Sequence, residues 1–141
     1  MKYISLKEFN NKYSTNIEDV DIKELNLNKR YIGNEGLKDL VKIKFKELKI
    51  LNLSDNKISD INVLEKVDFK QLKVLYLVGN KISDINIFEI VNFKELEELD
   101  LSYNKLSDIN ILEKVNFKEL KELNLRGNKI SDINILKKSR F

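Results

Sequence analysis

The stretch F-K-E-L-K-I-L-N-L-S-D-N-K-I-S-D-I-N-V-L-E-K-V-D, residues 45–68, recurs three more times with few changes, from Phe69, Phe93 and Phe117. Phe141 stands where a fifth copy would open. A fixed period of 24 with leucines at set offsets predicts a solenoid, in which each unit buries its apolar face against its neighbours. The repeat also sorts the residues. Positions that recur build the rod, and exposed positions that differ are left for function.

Within a unit, Ile50-Leu51-Asn52-Leu53-Ser54 alternates, which suits a short strand with its leucines inward. Asn56 then turns the chain, and Ile58 points back into the core. Ser59 and Asp60 read as the cap and first-turn acid of a helical turn. Ile61, Leu64 and Val67 follow at a spacing of three, the apolar face of a short helix or 3-10 segment. Phe45, Phe69, Phe93 and Phe117 form a core spine.

The motif L-x-x-L-x-L-x-x-N-x-I/L at 48–58, 72–82, 96–106 and 120–130 resembles the leucine-rich repeat family. The S-D-I-N-x-hydrophobic stretch after it is similar to the short-repeat subclass of bacterial internalins and a eukaryotic phosphatase regulator. The resemblance covers about residues 21–141. The unit is longer than is usual in that subclass, because a Val-x-Phe step is added. The internalin proline and Cys-flanked caps are missing. The resemblance implies an α/β leucine-rich-repeat solenoid. Its parallel β-sheet lines the concave side, short helices or 3-10 turns lie on the convex side, and an N-terminal helix caps it. It also implies that Asn56, Asn80, Asn104 and Asn128 form a structural ladder whose amides satisfy backbone groups at the turns.

Residues 1–20 stand outside the repeat and read as an N-terminal cap. Ser5-Leu6-Lys7-Glu8 has the capping-box spacing, and Leu6, Phe9 and Tyr13 fall on one helical face near 5–13. Residues 21–44 form a degenerate first repeat, with Ile22, Leu25, Leu27 and Ile32 matching Leu48, Leu51, Leu53 and Ile58 at an offset of 26. The two extra residues fall near 32–40, as a turn and a longer helix. Residues 45–141 carry the four full repeats of a single solenoid domain.

Composition narrows the chemistry. The chain has 26 Lys plus Arg against 23 Asp plus Glu, net +3. By segment the balance is +2 over residues 1–44, then −1, +1, −3 and +4 across the four repeats. A nucleic-acid groove would be basic along its length, so no nucleic-acid partner is expected. Cysteine, histidine, proline and tryptophan are absent, which removes disulfides, thiolate nucleophiles and zinc-thiolate sites. The first residues lack the apolar stretch of a signal peptide, and no run approaches the ~20 residues of a membrane span. The expectation is a cytoplasmic chain with no membrane association. A mature secreted fragment would read the same.

The row Asp60, Asp84, Asp108 and Asp132 invites a calcium reading. Each turn supplies only one acid, however, and Lys57, Lys81, Lys105 and Lys129 lie three residues before each Asp, placed to neutralise it. We read the row as capping plus a charge ladder, with no metal and no cofactor. No P-loop, GxGxxG or paired acid and base stands out, so no enzyme activity is expected.

Function should therefore sit on the strand residues that face outward. In order along the rod these are Glu24, Asn26, Asn28 and Lys29; Ile50, Asn52, Ser54 and Asp55; Val74, Tyr76, Val78 and Gly79; Glu98, Asp100, Ser102 and Tyr103; and Glu122, Asn124, Arg126 and Gly127. Ile50, Val74, Tyr76 and Val78 make an apolar centre, with Asn52 among them and Tyr103 beside it. Glu98, Asp100 and Glu122 form an acidic flank with Arg126 beyond. An apolar, aromatic centre with a charged rim is the anatomy of a protein interface. Strand propensity alone also places β-branched residues there. The expected function is a non-catalytic module holding a protein partner on its concave face. The alternative is a structural scaffold, or part of a longer array, that self-associates through an uncapped C-terminal edge. There Lys137-Lys138-Ser139-Arg140-Phe141 departs from the earlier repeat ends, and Ser139 replaces a valine.

Overall fold

The computed structural model describes residues 2–137, so the expectations placed on Ser139 and its neighbours lie outside the described residues. The chain runs α1 (Leu6–Tyr13), β1 (Glu24–Asn26), α2 (Gly33–Leu40), β2 (Ile50–Asn52), β3 (Val74–Tyr76), β4 (Glu98–Asp100) and β5 (Glu122–Asn124). Each of the last four strands leads to a 3-10 turn, at Asn62–Lys66, Asn86–Glu89, Asn110–Glu113 and Asn134–Lys137. The strands form one parallel sheet in chain order, the concave wall of a solenoid.

The register puts equivalent residues side by side. Leu25, Leu51, Leu75, Leu99 and Leu123 align across the sheet. The first step is 26 residues and the others 24, and the extra length is taken up where α2 replaces a 3-10 turn. Behind the sheet the inward residues leave the solvent: Leu51, Leu53, Ile58, Leu72, Leu75 and Leu77 are fully buried. The four spine phenylalanines are buried too, and Phe88 packs edge-on against Phe117 with ring centroids 5.7 Å apart. Each such side chain contributes about 2 kcal/mol of apolar burial.

The 3-10 turns begin differently from the sequence reading. Ser59 does not cap the first of them. The Asp60 carboxylate accepts from the Asn62 backbone N–H at 2.9 Å, and Asp84, Asp108 and Asp132 do the same two residues on. A tight turn leaves its first N–H two residues after the aspartate, and the short side chain folds back to meet it. Ser59 instead exchanges hydrogen bonds with Asn34 of the preceding unit. The lysines do not neutralise this row. Among the described residues no ion pair joins Lys57, Lys81, Lys105 or Lys129 to its aspartate, and Lys57 lies 5.0 Å from the Tyr31 ring centroid.

At the N-terminal end, α1 opens with a complete capping box. Ser5 N–H donates to Glu8 at 2.8 Å, and Glu8 N–H donates to Ser5 Oγ at 3.2 Å. Phe9 is fully buried, and the Tyr13 ring lies tilted against it with centroids 4.7 Å apart. Gly36 of α2 makes the closure possible: a Cβ there would collide with Ile32 and crowd the Tyr13 ring. Asp39 then ties the two helices together. Lys12 Nζ, Tyr13 OH and Lys42 Nζ each donate to its carboxylate at 2.7 Å. Burial pushes this carboxyl up, but the three donors outweigh it and hold the group well below the usual carboxylate range.

A carboxyl held low stabilises the fold above its unfolded value and loses that contribution as the pH falls. Asp39→Asn is expected to lower the unfolding free energy by about 2 kcal/mol at pH 7, a figure reduced because Lys12 is half exposed. In urea titrations the gap between wild type and variant should narrow steadily as the pH is taken from about 5 to 2.

Candidate protein-binding face

The concave surface is assembled from two rows of side chains. Ile50, Val74, Glu98 and Glu122 form one, and Asn52, Tyr76, Asp100 and Asn124 form the other. The ladder runs past the strand ends, since Asp55 N–H donates to Val78 O at 2.8 Å, and Tyr103 N–H to Arg126 O at 2.7 Å. Val78 and Arg126 therefore continue the same surface. Ile50, Asn52, Val74, Tyr76, Val78, Glu98 and Asp100 are half-buried, while Tyr103, Glu122 and Arg126 are exposed. Ser54 and Ser102, read as outward-facing, are instead buried at 7% and 3% exposure. A small side chain between larger ones on adjacent strands stays shielded.

Tyr76 is where the two halves of the face meet. Burial raises its phenol above the ordinary range, and the Glu98, Asp100 and Glu122 carboxylates beside it push the same way. Asp100 is held by the Asn124 side-chain amide at 3.0 Å and the Ser102 backbone N–H at 2.8 Å. Glu98 and Glu122 sit directly opposite each other, and among the described residues neither has an ion-pair partner. Like charges on facing strand positions repel, so the sheet carries an acidic pair that works against its own stability.

One row escaped the sequence reading. Lys73 and Lys121 grip Glu97 from either side at 2.8 and 2.6 Å, and Lys121 first, with Lys73, draws Glu97 down to about 2. Lys49 continues that row, and with the Ile50 row it borders a shallow groove of about 390 Å³. The signal was present as Lys49, Lys73, Glu97 and Lys121 at one repeat position, a single acid between lysines.

The rim beyond the sheet has its own packing rule. Asp55, Tyr103, Gly79 and Gly127 all adopt positive φ at one turn position. A Cβ at Gly79 would strike the Asp55 carboxylate, and one at Gly127 the Tyr103 ring. Glycine in alternate copies thus admits the side chain of the copy before. Tyr103 lies over Gly127 with the Arg126 guanidinium 5.8 Å from its ring centroid.

Below the face run the asparagines. Asn80 Nδ2 donates to Leu53 O and Leu77 O, both at 3.0 Å, and its Oδ1 accepts from Asn56 N–H and Ile58 N–H. Buried Asn56 donates to Leu27 O and Ser54 O and accepts from Ile32 N–H; buried Asn104 donates to Leu77 O and Leu101 O and accepts from Ile82 N–H; half-buried Asn128 donates to Leu101 O and Leu125 O and accepts from Leu106 N–H. Among the described residues no three acids converge as a metal site would require.

Asn80→Ala strands two buried N–H groups and is expected to cost about 3 kcal/mol in urea unfolding. Asn128→Ala, where water can substitute, should cost about 1 kcal/mol. Separately, absorbance titration should find two tyrosines, Tyr13 and Tyr76, ionising above the ordinary range, and Glu98→Gln should lower the Tyr76 step alone.

No helix among the described residues is long and apolar enough to cross a membrane. A comparison with curated proteins gives no match. Among solved structures, an internalin C2 of Listeria monocytogenes aligns over 83% of this chain and 47% of its own, at 30% identity and a TM-score of 0.65. A second internalin of that organism, inlF, aligns over 74% of this chain and 28% of its own, at 31% identity and a TM-score of 0.57. The chain thus spans less than half the length of either internalin it matches. The sequence profile described as "Leucine Rich repeats (2 copies)" matches residues 46–92, 70–114 and 94–138. With its stacked parallel strands, inward leucines and asparagine turns, the chain belongs to the leucine-rich repeat family.

Proposed function

We propose that this solenoid is a non-catalytic binding module that holds a protein partner on its concave sheet. The observation that carries the reading is the acidic couple Glu98 and Glu122, without an ion-pair partner among the described residues, beside the half-buried cluster Ile50, Val74, Tyr76 and Val78. A scaffold gains nothing from opposing carboxylates, whereas a partner bringing cations would discharge them. Apolar side chains next to that charge supply area that leaves water on contact. Solenoids of this kind use curved, continuous surfaces for binding, and the chain shares its repeat architecture with the internalins. The partner that fits presents an apolar knob flanked by lysine or arginine. Arg126 over Tyr103 marks the basic end of the footprint, where an acidic group on the partner would sit.

The test is capture from source-cell lysate with wild type and with Tyr76→Ala/Val78→Ser/Asp100→Lys, both checked for the same circular dichroism and melting temperature. A protein retained by wild type should be lost by the variant and should remain bound through a wash near 0.5 M salt. A nucleic-acid ligand would be released by that wash, because phosphate contacts are dominated by counterion release. Retention of the same proteins by both forms would remove the concave face as the site.

A further inference from the structure

Residues 41–46 read Val-Lys-Ile-Lys-Phe-Lys, apolar and basic side chains in strict alternation. The run carries the chain from the end of α2 back toward β2 and forms no strand. Its side chains part all the same. Val41, Ile43 and Phe45 turn inward, at 8%, 6% and 8% exposure, while Lys44 and Lys46 are exposed and Lys42 is half-buried. Together with residues 66–69 of the next repeat, the run lines a cleft of about 640 Å³. Among the described residues no backbone hydrogen bond joins the two runs across it. Half-buried Val67, the nearly buried Phe69 and the exposed Tyr3, from the stretch before α1, complete its apolar walls. A cleft of this size with a largely apolar lining and a few polar groups is the form of a small-molecule site.

Four lysines border the cleft, and the chain answers two of them. Lys42 pairs with Asp39 at 2.7 Å and Lys46 with Asp21 at 3.0 Å. Asp68, the acid on the wall, is held by Lys70 at 3.2 Å. Among the described residues neither Lys44 nor Lys66 has an ion-pair partner. Lys44 instead lies 5.5 Å from the Tyr3 ring centroid. Later copies carry Asp68, Asn92 and Asn116 at the Lys44 position, so that cation is particular to this junction. We propose that the cleft is a second binding site, separate from the concave face, and that it takes a small aromatic anion: a ring bearing a carboxylate or another acid group. The acid meets Lys44 and Lys66 through charge-assisted hydrogen bonds. The ring covers Val67, Phe45 and Phe69, and Tyr3 offers it an aromatic face. Apolar area leaving water supplies the affinity, and the two free ammonium groups select the sign of the charge. The occupant is small because the cleft is confined to one junction between two repeats, whereas the concave sheet spans five strands.

The probe is anilinonaphthalene sulfonate, which joins an aromatic body to one acid group and fluoresces on leaving water. Titrated into the folded wild type, it should bind saturably at a single site. Lys44→Glu/Lys66→Glu reverses two exposed charges and should weaken binding at least about tenfold. Val67→Lys adds a cation but removes apolar wall. General attraction to a basic surface would make that variant bind more tightly, whereas the cleft should bind about tenfold more weakly. Tyr3→Ala, at an exposed position where folding is not at stake, should also weaken binding. Tyr76→Ala/Val78→Ser, on the concave face, should bind as wild type does. Naphthalene sulfonate should displace the probe, and sulfate at equal concentration should not. The absence of saturable binding overturns the proposal. So does an affinity indifferent to the double lysine reversal, tighter binding by Val67→Lys, or loss of binding in the concave-face variant. Displacement by decanoate as effective as by naphthalene sulfonate overturns the aromatic assignment.

Discussion

Each of the four full repeats must leave its strand through a turn whose backbone polar groups are largely shut away from water, and one side-chain amide per repeat resolves this. Asn80 spans two units: it donates to Leu53 O of the copy before and Leu77 O of its own, and accepts from Asn56 and Ile58 N–H. Buried backbone groups left unbonded would each cost about 1–3 kcal/mol. The amide is the side chain that can give and accept in the same place. Because each asparagine serves its neighbour as well as itself, the ladder sets the stacking that the leucines then fill. Among the described residues no buried side-chain polar atom lacks a partner.

With the stacking fixed from inside, the outer face of the strand is released from structural duty. That freedom explains how Glu98 and Glu122 can oppose each other with, among the described residues, no ion pair, and how Tyr76 can sit half-buried among carboxylates. The adjacent row, Lys73-Glu97-Lys121, shows the same sheet resolving its charges when nothing else is asked of them. The contrast between a row that is ion-paired and one that, among the described residues, is not, a single residue apart, marks the candidate binding surface.

A stack of repeats has ends, and each needs its own solution. At the first, Gly36 admits Tyr13, and Asp39 gathers Lys12, Tyr13 and Lys42 into a clasp. That cap is made by residues remote in sequence, brought together only because α2 is longer than the 3-10 turns that follow. At β5, among the described residues, the same leucine positions are only partly buried.

The sequence by itself determined the solenoid, its period, the inward leucines, the capping box at Ser5 and the family, because each is a local rule repeated at one spacing. It also placed Ile50, Tyr76 and Glu98 on one face, since strand alternation fixes sides without reference to neighbours. What only the tertiary structure decided lies between repeats. Asp60 rather than Ser59 holds the 3-10 turn, because the turn begins at Asn62, two residues later than a cap at Ser59 would place it. Among the described residues Glu97 is ion-paired and Glu98 is not, because lysines flank Glu97 at its own repeat position. Ser54 and Ser102 vanish beneath taller neighbours, and Gly79 and Gly127 make room for Asp55 and Tyr103. Each depends on distances across the stack, which a one-dimensional pattern does not contain.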